Sequence, residues 1–430
     1  MVLILRRQDK TFEAQFMAFL GRKREVSQSV NETVSVIIHR VRIEGDKALA
    51  EYSRQFDGIS FAKGGFRISQ TEITDAVKSI NPEAMDVLRL AHERITAYHK
   101  RQIPKDERFI DALGVELGWR WTAIESVGIY VPGGTASYPS SVLMSAVPAR
   151  VAGVGRLVMA VPSPSGRLNP LVLAAANLVG IDEIYRVGGA QAIAALAYGT
   201  QSICPVMKIV GPGNAYVATA KRQLFGVVGI DMIAGPSELL VIADEGNNPD
   251  WIAADLLAQA EHDTAAQCIL ITDSVSFSDE VQRAIGVQLV TLQRLQIASA
   301  SWHDFGAVIL VDDLKDAVPL ANQIAPEHLE LAVKDSEAFL PSIRNAGAVF
   351  LGRYTPEAIG DYVGGSNHVL PTARSARFSS PLSVLDYMKR TSILKLGTEQ
   401  LRNLGPAAIR LAELEGLEAH GRSVALRLNL

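Results

Sequence analysis

Apolar residues recur at helical spacing through residues 10–56. Phe12, Phe16, Phe19 and Leu20 form one set, and Val34, Ile37, Ile38 and Val41 another. Residues 57–69 are short and irregular, with a hairpin as one reading, and a further helix is predicted over about 82–102. Near residue 127 the period changes. V-G-I-Y-V-P-G-G (127–134) reads as a strand running into a glycine-rich turn, followed by a helix carrying Val142, Leu143 and Val147. Strand 156–161, helix 169–179, strand 183–188, helix 190–198, strand 207–210 and helix 214–225 follow. A second alternating block begins with strand 238–243 and a helix opened by N-N-P-D-W (247–251), with proline inside its first turn. It continues through strand 268–272, a helix near 276–295, strand 307–311, helix 314–324, strand 329–333, helix 335–344 and strand 347–351. Beyond about 382 the pattern is helical again, through S-V-L-D-Y-M-K-R-T-S and a helix from Glu399 to about Glu415. Strands alternating with helices predict parallel sheets with right-handed crossovers, whose ligands bind beyond the carboxyl ends of the strands.

Composition narrows the class without naming a chemistry. The chain has 430 residues, 48% of them hydrophobic and 20% charged, enough for two or three domains with ample cores. A net charge of −4 with no long basic run argues against a nucleic-acid partner. No stretch approaches the roughly 18 apolar residues of a membrane span, and the apolar run at the N-terminus is too short for a signal peptide. The expectation is a cytoplasmic protein. Cys204 and Cys268 give neither a disulfide framework nor zinc-finger spacing and read as core residues. His39, His92 and His99 read as ordinary surface or interface residues.

Chemistry is concentrated at a few turns and helix ends. P-G-G (132–134), V-G-G-A-Q (187–191) and G-P-G-N (211–214) each open a helix, where free N–H groups and the helix dipole favour a phosphate. Each alone is equally a plain tight turn; three on one sheet edge suggest a dinucleotide site, with Tyr130, Gln191 and Asn214 placed to touch it. A further turn, A-G-P-S, carries Ser237 at the mouth of strand 238–243. In D-L-L-A-Q-A-E-H-D (255–263), Gln259 and His262 lie three apart and project from one side of a helix. With Asp361 of T-P-E-A-I-G-D-Y-V-G-G and His420 of E-G-L-E-A-H-G they would give a donor set that suits Zn²⁺, or Mn²⁺ or Co²⁺. His368 could be another ligand, support a ligand or touch the substrate. Glu327 and His328 stand together in A-P-E-H-L-E, where Pro326 turns Ala325 away from helix. An imidazole beside a carboxylate can pass protons and activate water.

Five runs together resemble the histidinol dehydrogenase family: V-G-I-Y-V-P-G-G-T-A-S-Y-P-S-S-V-L-M, G-I-D-M-I-A-G-P-S-E, A-A-D-L-L-A-Q-A-E-H-D, A-P-E-H-L-E and N-H-V-L-P-T. The resemblance covers nearly the whole chain, in order. It implies oxidation of L-histidinol to L-histidine with two NAD⁺ per turnover and one Zn²⁺ per subunit. On the matching positions it implies zinc ligands Gln259, His262, Asp361 and His420, catalytic residues Glu327 and His328, and NAD contacts Tyr130, Gln191 and Asn214. The implied substrate contacts are Ser237, Gln259, His262, His328, Asp361, Glu415 and His420. It also implies a homodimer whose C-terminal lobe completes the partner's site. Ser145 and A-R-S-A-R (373–377) depart from the M-N-A and the glycine-containing turn expected there. The nearest rival is a related zinc- and NAD-dependent dehydrogenase of another small polar alcohol; a non-catalytic two-domain binding protein is the rival from another class. The expected fold class is α/β, with two incomplete Rossmann-like parallel-sheet domains and small helical lobes at both ends. The expected division is an N-terminal helical segment (1–25), a discontinuous first domain (26–126 and 239–381), an NAD-binding second domain (127–238) and a C-terminal helical lobe (382–430).

Overall fold

The computed structural model describes residues 2–21, 28–61, 65–133, 138–233 and 235–430. Gly134 of the first glycine turn and Ala234 of the A-G-P-S turn therefore lie outside the described residues.

Two parallel sheets carry the fold, as the alternating pattern predicts. The first has six strands, in the order Leu3–Arg6, Ala307–Leu310, Gln267–Thr272, Glu238–Ala243, His328–Ala332 and Ala348–Leu351. The second has five, in the order Glu183–Tyr185, Arg156–Ala160, Ser126–Tyr130, Lys208–Val210 and Gly229–Ile230. Strand Glu238–Ala243 is buried at every position, as a central parallel strand covered on both faces must be. The pleat sorts its side chains: Leu239 and Val241 enter one core with helices Pro249–Ala260 and Val275–Leu289, while Leu240 and Ile242 enter the opposite core. Val127 and Ile129 likewise face helices Pro139–Ala152 and Pro170–Leu178. Tyr130 faces the other way, among helices Gln28–Glu44 and Gly189–Tyr198.

Several elements differ from the sequence reading. The N-terminal segment is not purely helical. Leu3–Arg6 is an edge strand paired in parallel with Ala307–Leu310, and Phe12, Phe16 and Phe19 of the following helix fill the core beneath that sheet. Four residues of strand are too few for periodicity to distinguish from a helix start. Residues 26–126 were expected to belong with 239–381. The apolar faces of their helices, including Val34, Ile37, Ile73, Leu88 and Ile95, lie instead in the two cores of the five-stranded sheet. The C-terminal lobe opens with one short 3-10 turn, Val384–Tyr387, and then runs into a strand where helix was expected. Met388–Lys395 pairs antiparallel with Glu116–Ala123, which pairs with Glu107–Ile110. The chain then ends in a hairpin of two helices, Thr398–Leu414 and Glu418–Leu428. Cys268 is buried, but Cys204 is exposed. His99 is fully buried, its Nδ1 2.9 Å from the Ile95 carbonyl and its Nε2 3.4 Å from the Asn367 amide.

Candidate active site

The two parallel sheets meet with opposite edges. The five-stranded sheet presents the carboxyl ends of its strands, and the six-stranded sheet the amino ends of Glu238–Ala243 and His328–Ala332. Between them lies a cleft of about 580 Å³, well within the size range of small-molecule sites.

On the five-stranded side much of the wall is backbone. Pro132 and Gly133 follow strand Ser126–Tyr130, and Gly211–Asn214 follows strand Lys208–Val210. A Cβ on Gly133 or on Gly188 would lie 2.4 Å from Pro162, so these turns close around one proline only as glycines. Asn214 caps helix Ala215–Leu224, accepting hydrogen bonds from the N–H groups of Tyr216 and Val217. Tyr130 and Gln191 are buried and do not line the cleft. The Tyr130 hydroxyl accepts a hydrogen bond from the Gly189 N–H at 3.1 Å, which ties the strand to the start of the next helix.

The six-stranded side is ionisable. Ala325 adopts the left-handed conformation (φ 47°) where Pro326 forbids helix, and this releases the chain directly into the strand headed by His328. Glu327 accepts a hydrogen bond from the Glu238 N–H at 2.9 Å, and His328 Nδ1 lies 3.1 Å from the Glu238 carbonyl oxygen. The neighbouring strand thus orients both side chains through one residue's backbone. His328 Nδ1 is also 3.5 Å from Glu357, and Nε2 is 3.7 Å from Asp361. Burial lifts Glu327 to about 7 and Glu357 to about 8. Burial opposes a charge on His328, but Glu357, Glu327 and Asp361 together outweigh it and hold its pKa well above the ordinary value. Asp361 moves the other way. Burial alone would raise it, but the neighbouring imidazoles of His328, His368 and His262 keep it low.

Gln259, His262, Asp361 and Ser237 line the same cleft. Gln259 sits in the last turn of helix Pro249–Ala260, fully buried, with neither amide atom hydrogen-bonded. A buried amide left unsatisfied costs about 1–3 kcal/mol, so this group is set for something other than the chain itself. A cation on its Oε1 would satisfy the oxygen. His262 opens into the cleft, crowded closely enough that desolvation keeps its pKa low and favours the neutral, ligating form. Together with Asp361 the three offer oxygen, nitrogen and oxygen donors, a set that fits a zinc ion with positions left open. His368 also lines the cleft. Its Nδ1 is 2.9 Å from the Asp361 carbonyl oxygen and its Nε2 3.4 Å from Ser141, so it braces Asp361 from behind. Glu415 and His420 are exposed on the C-terminal hairpin and line no part of this cleft.

One residue the sequence reading passed over is Glu357. With His328 and Asp361 it forms a cluster whose ligand atoms all lie within 4.8 Å of one another. The signal was present: Glu357 and Asp361 are four apart in T-P-E-A-I-G-D, one helical turn on one face.

Comparison with known proteins points to one family. The family profile described as histidinol dehydrogenase matches residues 20–428. A histidinol dehydrogenase of Brucella suis biovar 1 is 68% identical over 430 residues, covering all of both chains. One of Rhizobium meliloti is 66% identical, covering 100% of this chain and 99% of its own. Among solved structures, a histidinol dehydrogenase of Elizabethkingia anophelis superposes with a TM-score of 0.95 at 36% identity, over 100% of this chain and 98% of that one.

Proposed function

The chain belongs to the histidinol dehydrogenase family, and from that premise we propose that it oxidises L-histidinol to L-histidine through L-histidinaldehyde. Two hydrides pass to two NAD⁺, in the final steps of histidine biosynthesis. The observation that carries the reading is the convergence of Glu327 and His328 with Gln259, His262 and Asp361 in one cleft walled by glycine turns.

Gln259, His262 and Asp361 would hold one Zn²⁺ per subunit, which supplies Lewis-acid polarisation and a fixed anchor for the substrate's nitrogens. The remaining chemistry belongs to the chain's own residues. Donation from His328 Nδ1–H to the Glu238 carbonyl leaves the lone pair on Nε2, which has no hydrogen-bond partner and faces Asp361. His328 Nε2 takes the hydroxyl proton as hydride leaves the carbinol carbon for NAD⁺, giving aldehyde, NADH and a proton. Glu327, with a pKa of about 7, removes a proton from water as the water oxygen adds to the aldehyde carbon, and His328 returns its proton to the aldehyde oxygen, which completes the hydrate and frees the imidazole to act again. The hydrate then loses a hydroxyl proton to His328 and a hydride to a second NAD⁺, leaving the acid. With a cation on Asp361, the carboxylates that raise His328 would be partly offset, and the imidazole would lie closer to the neutral form a base requires.

The fourth zinc ligand in this reading is His420 of the partner subunit, with Glu415 beside it, in a homodimer. The support is that both are exposed and away from their own chain's cleft. They sit on a hairpin whose Leu411, Leu414 and Leu426 are also exposed, an apolar surface that association would cover. Mixing a His328→Asn variant with a His420→Asn variant under subunit exchange tests this. Activity should appear in the mixture, because one site per mixed dimer is intact, and its absence would sink the shared site. A cytoplasmic location fits the same reading; among the described residues no helix is long and apolar enough to cross a membrane. The substrate is tested with purified, zinc-loaded protein. NADH should form with L-histidinol and not with a sulfonated diol, and the reverse preference would replace the substrate named here.

A further inference from the structure

Gly211, which opens the G-P-G-N turn on the cleft wall, is held on several sides at once. Its φ is +112°, and a Cβ there would lie 2.1 Å from the Tyr130 carbonyl oxygen, so its backbone presses directly on the neighbouring strand. Its N–H donates to Asp231 at 2.8 Å, and its carbonyl accepts from Lys221 Nζ at 3.0 Å. Lys221 and Asp231 are themselves ion-paired, with side chains only 2% and 1% exposed. Lys221 is the single buried lysine among the described residues. It comes from helix Ala215–Leu224, which follows the turn, and Asp231 from the end of the adjacent strand. One ion pair therefore grips both polar groups of one glycine, from two elements.

Stability is a poor explanation for such a pair. Desolvating two charges is costly, and well-packed apolar residues of similar size often serve a fold as well. The pair also carries no net charge, so it adds little attraction for an anionic dinucleotide. What it adds is rigidity, and holding a contact surface in its bound conformation improves affinity without new contacts.

We infer that Lys221 and Asp231 are positioning residues of the dinucleotide site, fixing the Gly211–Asn214 turn in the shape that receives NAD⁺. This rests on the reading that NAD⁺ binds at that turn. Lys221→Met alone strands a buried carboxylate and is expected to impair folding. The informative variant is Lys221→Met with Asp231→Asn, which is neutral and still accepts from the Gly211 N–H, but leaves the Gly211 carbonyl without its donor.

Two measurements on the zinc-loaded protein decide the matter. Hydrogen exchange of the wild type with and without NAD⁺ tests the site itself. Slowed exchange in residues 211–217 is expected, and no slowing there would overturn the site reading whatever the variant does. Calorimetric titration and steady-state kinetics then test the clamp. In the double variant the Kd and KM for NAD⁺ should rise roughly 10-fold, the scale of one lost charge-assisted hydrogen bond, while kcat at saturating NAD⁺, KM for L-histidinol and zinc content change by less than about twofold. Wild-type NAD⁺ affinity in the double variant, with exchange slowed in the wild type, overturns the clamp and leaves the site standing. Parallel loss of NAD⁺ binding, zinc and thermal stability also overturns it, in favour of a purely structural pair.

Discussion

The two edges that face each other across the cleft are built on opposite principles. The five-stranded edge is mostly backbone: Gly133 and Gly211 line the cleft in turns too tight for a Cβ, and its buried charges, Lys221 and Asp231, neutralise each other. The six-stranded edge gathers Glu327, His328, Glu357 and Asp361 within a few ångströms, all largely removed from water. A surface that must receive a large anionic cosubstrate gains from neutral, preorganised backbone. A surface that must hold a cation and move protons gains from carboxylates and imidazoles whose pKa values have been displaced. On the proposed reading, the two tasks fall on separate sheets.

That separation orders what should happen when each side is perturbed. The largest effect is expected from His328→Asn, which should keep fold and bound zinc but lower kcat by roughly 10²–10⁴-fold, as for loss of a general base. Single-turnover hydride transfer checks this, and unchanged turnover would remove His328 from the account. Glu327→Gln should act less evenly. With L-histidinaldehyde as substrate, oxidation should fall further than alcohol oxidation does, whereas equal loss in both halves would argue against a water-activating role.

A milder test uses pH. Glu327 and Glu357 are lifted from an ordinary 4.5 to about 7 and about 8. Between pH 4.5 and 8 the folded state thus keeps protons that the unfolded chain has released. Metal-free protein should therefore lose stability as pH rises through that window. His328, raised as well, acts in the same direction. Thermal unfolding should show Tm falling over this range without metal and a flatter profile with zinc; a rising Tm without metal would contradict the carboxylate assignment. The smallest effect is expected on the other side. Asn214→Ala removes a helix cap and should cost about 1 kcal/mol of stability, measured by denaturant unfolding, and weaken NAD⁺ binding while zinc content is unchanged.

The same contrast explains what was legible in the sequence. The five-stranded edge announces itself locally: strand, glycine turn and helix are contiguous, so Gly133, Gly211 and Asn214 could be placed on one edge from spacing alone. Tyr130 shows the limit of that reading. Its side chain turns into the core, and only its hydroxyl reaches the next helix. The six-stranded edge is assembled from Ser237, Gln259, His262, Glu327, His328 and Asp361; local patterns link Gln259 to His262 and Glu327 to His328, but nothing local joins these pairs to each other or to Ser237 and Asp361. It also forms at the amino ends of strands, where the rule for parallel sheets does not look. Local reading picks these residues out singly or in pairs; the resemblance is what joins them into one site. Glu357 escaped even that, although it lies one turn from Asp361. At 373–377 the expected glycine-containing turn is replaced, and Ala373 and Arg374 carry positive φ (51° and 62°) where glycine would sit without strain. The strand Met388–Lys395 was missed because what holds it is the antiparallel partner Glu116–Ala123, some 270 residues earlier, rather than its own pattern.

The most direct test of the whole account is a count. Zinc-loaded protein is given limiting L-histidinol and excess NAD⁺, and NADH formed is divided by histidinol consumed. Two edges serving one base used twice require a ratio of two. A ratio of one, with aldehyde accumulating, would mean that the cleft completes only the first oxidation and that Glu327 does not do what its position suggests.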